Sequence, residues 1–106
     1  MACKFSIRIY IGTQFTATGE PLATSDVAHA LDDFQRSIAL ITGGVTVYSA
    51  SGISVECPTG EATTVVETFY NADQYADIVA EVALLKLWLK QGSILVVQQF
   101  AEVQFL

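Results

Sequence analysis

The residue pattern predicts an α+β domain whose elements run strand, helix, strand, strand, helix, strand, and three observations carry that prediction. Stretches near both ends and in the middle of the chain alternate apolar with polar residues, the period of half-buried strands. Two intervening stretches instead repeat apolar residues every three or four positions, as a helix packed by one face requires. Glycine, proline and asparagine mark the boundaries between them. A length of 106 residues falls within the single-domain range, so residues 1–106 are read as one domain with one core.

The first strand is read from Lys4 to Ile11, with Phe5, Ile7, Ile9 and Ile11 on one side and Lys4, Ser6, Arg8 and Tyr10 on the other. Gly12 to Ala23 has no period and contains the turn formers Thr18-Gly19-Glu20-Pro21, which predicts a long loop of the kind that often touches ligands. Thr24 or Ser25 is placed to cap the first helix and Asp26 suits its positive first turn. Val27, Leu31, Phe34, Ile38 and Ile41 form its buried stripe, and Gly43-Gly44 stops it.

Val45 to Glu56 and Glu61 to Tyr70 are β-branched runs joined by Pro58-Thr59-Gly60, a hairpin, with Gly52 as a bulge or point of close backbone approach. Val45, Val47, Ile53 and Val55, with Val65, Val66, Phe69 and Tyr70, are its apolar residues; which face of the third strand is buried stays open. Asn71 followed by Gln74 has the spacing of a capping box, and Tyr75, Ile78, Val82, Leu85 and Leu89 follow at helical spacing. Val79, Leu84, Leu87 and Trp88 widen that stripe around the second helix, which Gly92 is expected to end. Ser93 to Leu106 alternates again and gives the fourth strand. Two strand–helix–strand halves of this kind predict the ferredoxin-like arrangement, a four-stranded antiparallel sheet with two helices on one face. Tyr10, Phe100 and one face of the third strand are expected on the uncovered side.

A hydrophobic fraction of 52% with only 15% charged residues exceeds what one small core has to cover, which predicts a homo-oligomer. The formal charge of −6 opposes attraction to a nucleic-acid backbone or an anionic membrane, while leaving room for a small anionic ligand held by one or two arginines. Cys3 and Cys57 make no Cys-x-x-Cys pair and are read as reduced thiols. No signal pattern opens the chain and no apolar run reaches the length of a membrane span, so a cytoplasmic location is expected. His29 is the only histidine, which leaves no two-histidine metal site and no Ser-His-Asp assembly with a spare base; no metal or cofactor is expected.

Glu67 stands out because it is flanked by Val65, Val66 and Phe69 on a strand, where a carboxylate needs a cationic partner or loses its charge. Arg8 is the natural partner, since the first and third strands are neighbours in this fold. Tyr10, Tyr48, Phe69 and Tyr70 are the strand aromatics able to stack on a base or ribose. Asp26, Asp32 and Asp33 on the first helix, and Asp73, Asp77 and Glu81 at four-residue spacing on the second, read most simply as hydrated surfaces.

The run Arg8-Ile9-Tyr10-Ile11-Gly12, the segment Gly43-Gly44-Val45-Thr46 leading to Gly52, a glutamate on the third strand and Gln91-Gly92-Ser93-Ile94 before the fourth together resemble small phage proteins of ferredoxin-like type. The chain resembles the first-type Thoeris anti-defence family, whose members are oligomeric sponges that sequester cyclic ADP-ribose signals, and in some cases cyclic oligonucleotides, without cleaving them. That resemblance implies a small adenine-containing nucleotide as ligand. On chemistry alone Arg8 is expected to supply a cation for phosphate, Tyr48 and Phe69 two aromatic faces, and Asn71 an amide for a base edge. A second resemblance is to phage S-adenosylmethionine lyases, trimeric enzymes in which a glutamate on the hairpin and main-chain groups promote cleavage of a sulfonium; it implies a catalytic Glu67. Ile53 and Ser54 depart from the aromatic which that pattern has after Gly52. A non-catalytic structural or protein-binding oligomer is the third reading.

Overall fold

A computed structural model of the chain describes residues 5–52 and 60–103. The elements follow the predicted order: β1 (Phe5–Gly12), α1 (Thr24–Thr42), β2 (Thr46–Gly52), β3 (Glu61–Tyr70), a 3-10 turn (Ala72–Gln74), α2 (Tyr75–Trp88) and β4 (Leu95–Phe100). The strands lie in the order β2-β3-β1-β4, every neighbouring pair antiparallel. This is the ferredoxin-like layout, with the two halves interleaved so that β1 and β3 occupy the centre. Among the described residues no helix is long and apolar enough to cross a membrane.

The alternation along β1 sends Ile7, Ile9 and Ile11 toward the helices, where each is almost wholly buried. They join Val27, Phe34 and Ile38 of α1, Ile78 and Leu85 of α2, and Leu89 just beyond it in one cluster with Val66 and Tyr70 of β3. Each such side chain contributes about 1.5–3 kcal/mol through burial. The register settles the open face of the third strand: Val66 lies opposite Ile9 and Tyr70 opposite Phe5, so Val66, Thr68 and Tyr70 face the helices. Val65, Glu67 and Phe69 face the other way. Thr68, the one buried polar residue among those described, has its hydroxyl 2.7 Å from both Thr42 Oγ1 and Gly44 O.

Several local expectations are corrected. Neither Thr24 nor Ser25 caps α1; Ala23 holds that position with no side-chain hydrogen bond. Gly43 does stop α1, in the left-handed conformation at φ 99°. Asn71 and Gln74 close a capping box, with Asn71 N–H donating to Gln74 Oε1 at 2.9 Å, but it opens the 3-10 turn that precedes α2. Gly92 is not what ends α2. Lys90 takes the left-handed turn instead, at φ 51°, with Lys90 N–H donating to Leu87 O and Gln91 N–H to Lys86 O, the bonding of a Schellman motif.

In β4, Phe100 pairs with Phe5 and therefore lies on the helix side, whereas Leu95 and Val97 join the uncovered face. β2 carries no bulge through Gly52, which pairs directly with Glu61, and Val47 is partly exposed on its edge strand. Ile53, Val55, the Pro58-Thr59 turn, Phe105 and both cysteines lie outside the described residues.

Candidate functional site

The side of the sheet that no helix covers presents the alternate residues of all four strands. Because directly paired residues point to one side, the register arranges this face in rows. One row holds Thr46, Glu67, Arg8 and Val97. The next holds Tyr48, Val65, Tyr10 and Leu95. Phe69 and Ser6, with Gln99, form the row on the other side of the charged one.

The expected pairing of Glu67 with Arg8 is present, across the central strands. Arg8 Nε lies 3.8 Å from Glu67 Oε2, with the two side chains 32% and 31% exposed. A charge-assisted hydrogen bond closes to about 2.7–2.9 Å, so this pair is loose and neither charge is consumed by the other. Tyr48 and Phe69 flank the pair from adjacent rows, each partly exposed. Val65 beside them is 0% exposed although it lies outside the core cluster.

Arg8, Tyr48 and Phe69 thus share one face with Glu67, as a joint ligand site requires. Asn71 does not join them. It sits beyond the end of β3, where the capping box occupies it. Tyr70, the remaining strand aromatic, is on the helix side, stacked between Phe5 and Tyr75 with centroid separations of 5.4 and 6.1 Å.

A second carboxylate, which the residue pattern did not single out, stands at the same face near the far end of β3. Glu61 Oε1 accepts hydrogen bonds from Gln14 N–H at 3.2 Å and Phe15 N–H at 3.1 Å. It lies so close over Gly12 that a Cβ there would approach Glu61 Oε1 to 2.7 Å. Gly52 lies opposite Glu61 on the other side. Gly12, read in the sequence only as the start of the loop, is the residue whose missing side chain makes room for this carboxylate.

Glu61 is one of several ties on the long loop after β1. Gln14 Oε1 accepts from Ala62 N–H at 2.9 Å, Ala17 N–H donates to Lys90 O at 2.9 Å, and Gln91 Nε2 donates to Phe15 O at 2.8 Å. The loop is therefore tied to the start of β3 on one side and to the chain leaving α2 on the other, and most of its N–H groups are taken up within the chain.

No family model and no curated protein matches this chain. Its fold is nevertheless shared with solved structures. A phage S-adenosylmethionine lyase in complex with S-methyl-5'-thioadenosine aligns with TM-score 0.67 at 15% identity, covering 99% of this chain and 92% of the lyase. A phage S-adenosylmethionine lyase in the apo state aligns with TM-score 0.66 at 17% identity, covering 92% of this chain and 81% of that one. At such identities the likeness is one of fold. Both neighbours carry the name of one of the two families that the residue pattern resembles, the phage S-adenosylmethionine lyases.

Proposed function

We propose that the protein cleaves the sulfonium of S-adenosylmethionine, or of a close relative, and releases a neutral thioether nucleoside. The observation that carries this reading is the loose Arg8–Glu67 pair on an uncovered, aromatic-lined sheet face, in a fold shared along almost its whole length with a lyase solved with S-methyl-5'-thioadenosine.

The charges match. S-adenosylmethionine carries a cationic sulfonium and, on its amino-acid tail, a carboxylate. Glu67 suits the cation and Arg8 the carboxylate, so the substrate inserts between two groups that hold each other only weakly. Tyr48 and Phe69 provide flat faces for the adenine. When the sulfur–carbon bond breaks, its electron pair stays on sulfur while an oxygen of the substrate's own carboxylate closes onto the departing carbon, so that the thioether nucleoside leaves beside a lactone and positive charge builds on that carbon only in passing. A carboxylate fixed beside that carbon stabilises the charge as it develops, which is where electrostatic catalysis is most effective.

The test is incubation of the purified protein with S-adenosylmethionine, cyclic ADP-ribose isomers and cyclic oligonucleotides, with bound and free fractions analysed by mass. S-adenosylmethionine is expected to disappear and its thioether nucleoside to appear free in solution. Glu67→Gln is expected to slow this by about 10²–10³-fold, the usual loss for a removed electrostatic stabiliser. Intact S-adenosylmethionine, with a cyclic nucleotide retained at unchanged mass, would replace this reading with sequestration.

A further inference from the structure

On the far side of the molecule from Arg8 and Glu67, α1 and α2 enclose a trough of about 440 Å³. Its α1 wall carries Asp26, His29, Ala30, Asp33, Phe34 and Ser37, a single stripe at helical spacing. Its α2 wall carries Glu81, Leu84, Leu85 and Trp88 at i, i+3, i+4 and i+7, a second such stripe. The floor is apolar and the rim is acidic. Trp88 is 76% exposed and Leu84 50%, large apolar residues left beside the trough rather than packed into the core. Among the described residues the ion pairs are Arg8–Glu67 and Arg36–Asp32, so the rim carboxylates Asp26, Asp33 and Glu81 stand outside any ion pair there.

We propose that this trough docks a basic amphipathic helix of a partner protein. Two walls that each repeat at helical spacing form the groove into which the ridge of a third helix packs. The α1 wall spans eleven residue steps, about 17 Å at helical rise, which accommodates about three turns of an incoming helix. Apolar residues at i, i+3, i+4 and i+7 of that helix meet Leu84 and Trp88 above a floor that includes the buried Phe34, the familiar helix-in-groove mode. Lysines or arginines on its flanks meet Asp26 and Asp33 on one wall and Glu81 on the other. The residues that widen the apolar stripe of α2 include Leu84 and Trp88, and both are here assigned to this partner. Docking there is independent of the lyase reading, since the trough and the Arg8–Glu67 face lie on opposite sides of the sheet.

Trp88 is the only tryptophan in the chain, so its emission reports on the trough directly. The probe is a synthetic helical peptide of about fourteen residues, roughly four turns, with leucines at the four anchor positions and lysines on both flanks. A companion peptide has the same leucines with glutamates in place of lysines. The lysine peptide is expected to shift Trp88 emission to the blue and to saturate, with Kd in the range of about 1–50 μM. The Asp33→Asn/Glu81→Gln double variant, its fold checked by circular dichroism, is expected to bind about tenfold more weakly, and added salt to weaken the wild-type complex in the same way.

No saturable shift at about 100 μM peptide would overturn the proposal, as would equal binding of the glutamate peptide or of the double variant. A linear polyamine giving the same shift at the same concentration would make the trough a small-cation site instead. A shift that develops with protein concentration alone would assign it to a second copy of the chain.

Discussion

The two faces of the sheet are made from alternate residues of the same four strands, and they have opposite constitutions. The face under the helices is a continuous apolar layer in which Ile7, Ile9, Ile11 and Val66 are nearly solvent-free, with Thr68 and its bonded hydroxyl as the one buried polar residue described. The other face keeps a charged pair and several aromatics half-exposed, and among the described residues no helix packs over them. Folding alone selects the first arrangement, because every residue there removes apolar surface from water. It does not select the second. An Arg–Glu pair at 3.8 Å adds about 1 kcal/mol at most, and partly exposed aromatics add less than buried ones. The contrast teaches that the residues free to bind and react are those whose presence stability does not explain.

Truncating two residues adjacent in sequence but on opposite faces separates the two most directly. Ile9→Ala is expected to lower stability by about 2–5 kcal/mol, the range for a fully buried isoleucine. Arg8→Ala is expected to change it by about 1 kcal/mol or less. Urea unfolding midpoints at constant slope measure both. Comparable losses would mean that the open face is as structural as the covered one, and the case for a site there would fall with the contrast.

A smaller effect sharpens the description of the open face at its rim. Gly12→Ala places a methyl where the Glu61 carboxylate now lies, 2.7 Å from Oε1. The long side chain can swing aside, but it then gives up the N–H groups of Gln14 and Phe15. The expected cost is about 1–2 kcal/mol, the loss of charge-assisted bonds at a partly exposed position. A double-mutant cycle isolates the cause: in a Glu61→Ala background, Gly12→Ala is expected to cost almost nothing further. Full additivity would show that the glycine is needed for some reason other than the carboxylate above it.

How far the residue pattern reaches depends on whether a feature is local. The alternation of β1 announced its buried isoleucines, and Gly43 announced the end of α1, because both follow from nearest neighbours along the chain. The Arg8–Glu67 pairing was legible for a different reason: once the fold class places β1 against β3, two residues on polar-facing positions of adjacent strands become partners. β4 was harder, since Leu95 and Val97 on one parity and Val96 and Phe100 on the other are all apolar, and alternation cannot choose between two apolar sides. Only the pairing with β1 chooses. Glu61 over Gly12 was beyond reach because it joins positions far apart in sequence through one side-chain conformation. Asn71 suits both capping and ligand contact by its chemistry, and the backbone claims it for the first.

The end of α2 shows the same limit at a single residue, and yields the smallest and cleanest expectation. Gly92 is the residue that local propensity nominates as the stop, yet Lys90 adopts the left-handed conformation at φ 51°. The reason lies outside the helix. Lys90 O accepts from Ala17 N–H at 2.9 Å and Gln91 Nε2 reaches Phe15 O at 2.8 Å, while a Cβ on Gly92 would stand 3.3 Å from Ala17 Cβ. The loop after β1 thus fixes where the chain leaves α2, and Gly92 serves the close approach of that loop. A lysine in this conformation brings its Cβ against a carbonyl, a penalty that glycine lacks. Lys90→Gly is therefore expected to raise stability by about 0.5–1 kcal/mol in spite of the greater freedom of the unfolded glycine chain, read as a rise in the urea midpoint. A fall would mean that the lysine side chain, and not the backbone bonds around it, holds the end of α2 against the loop.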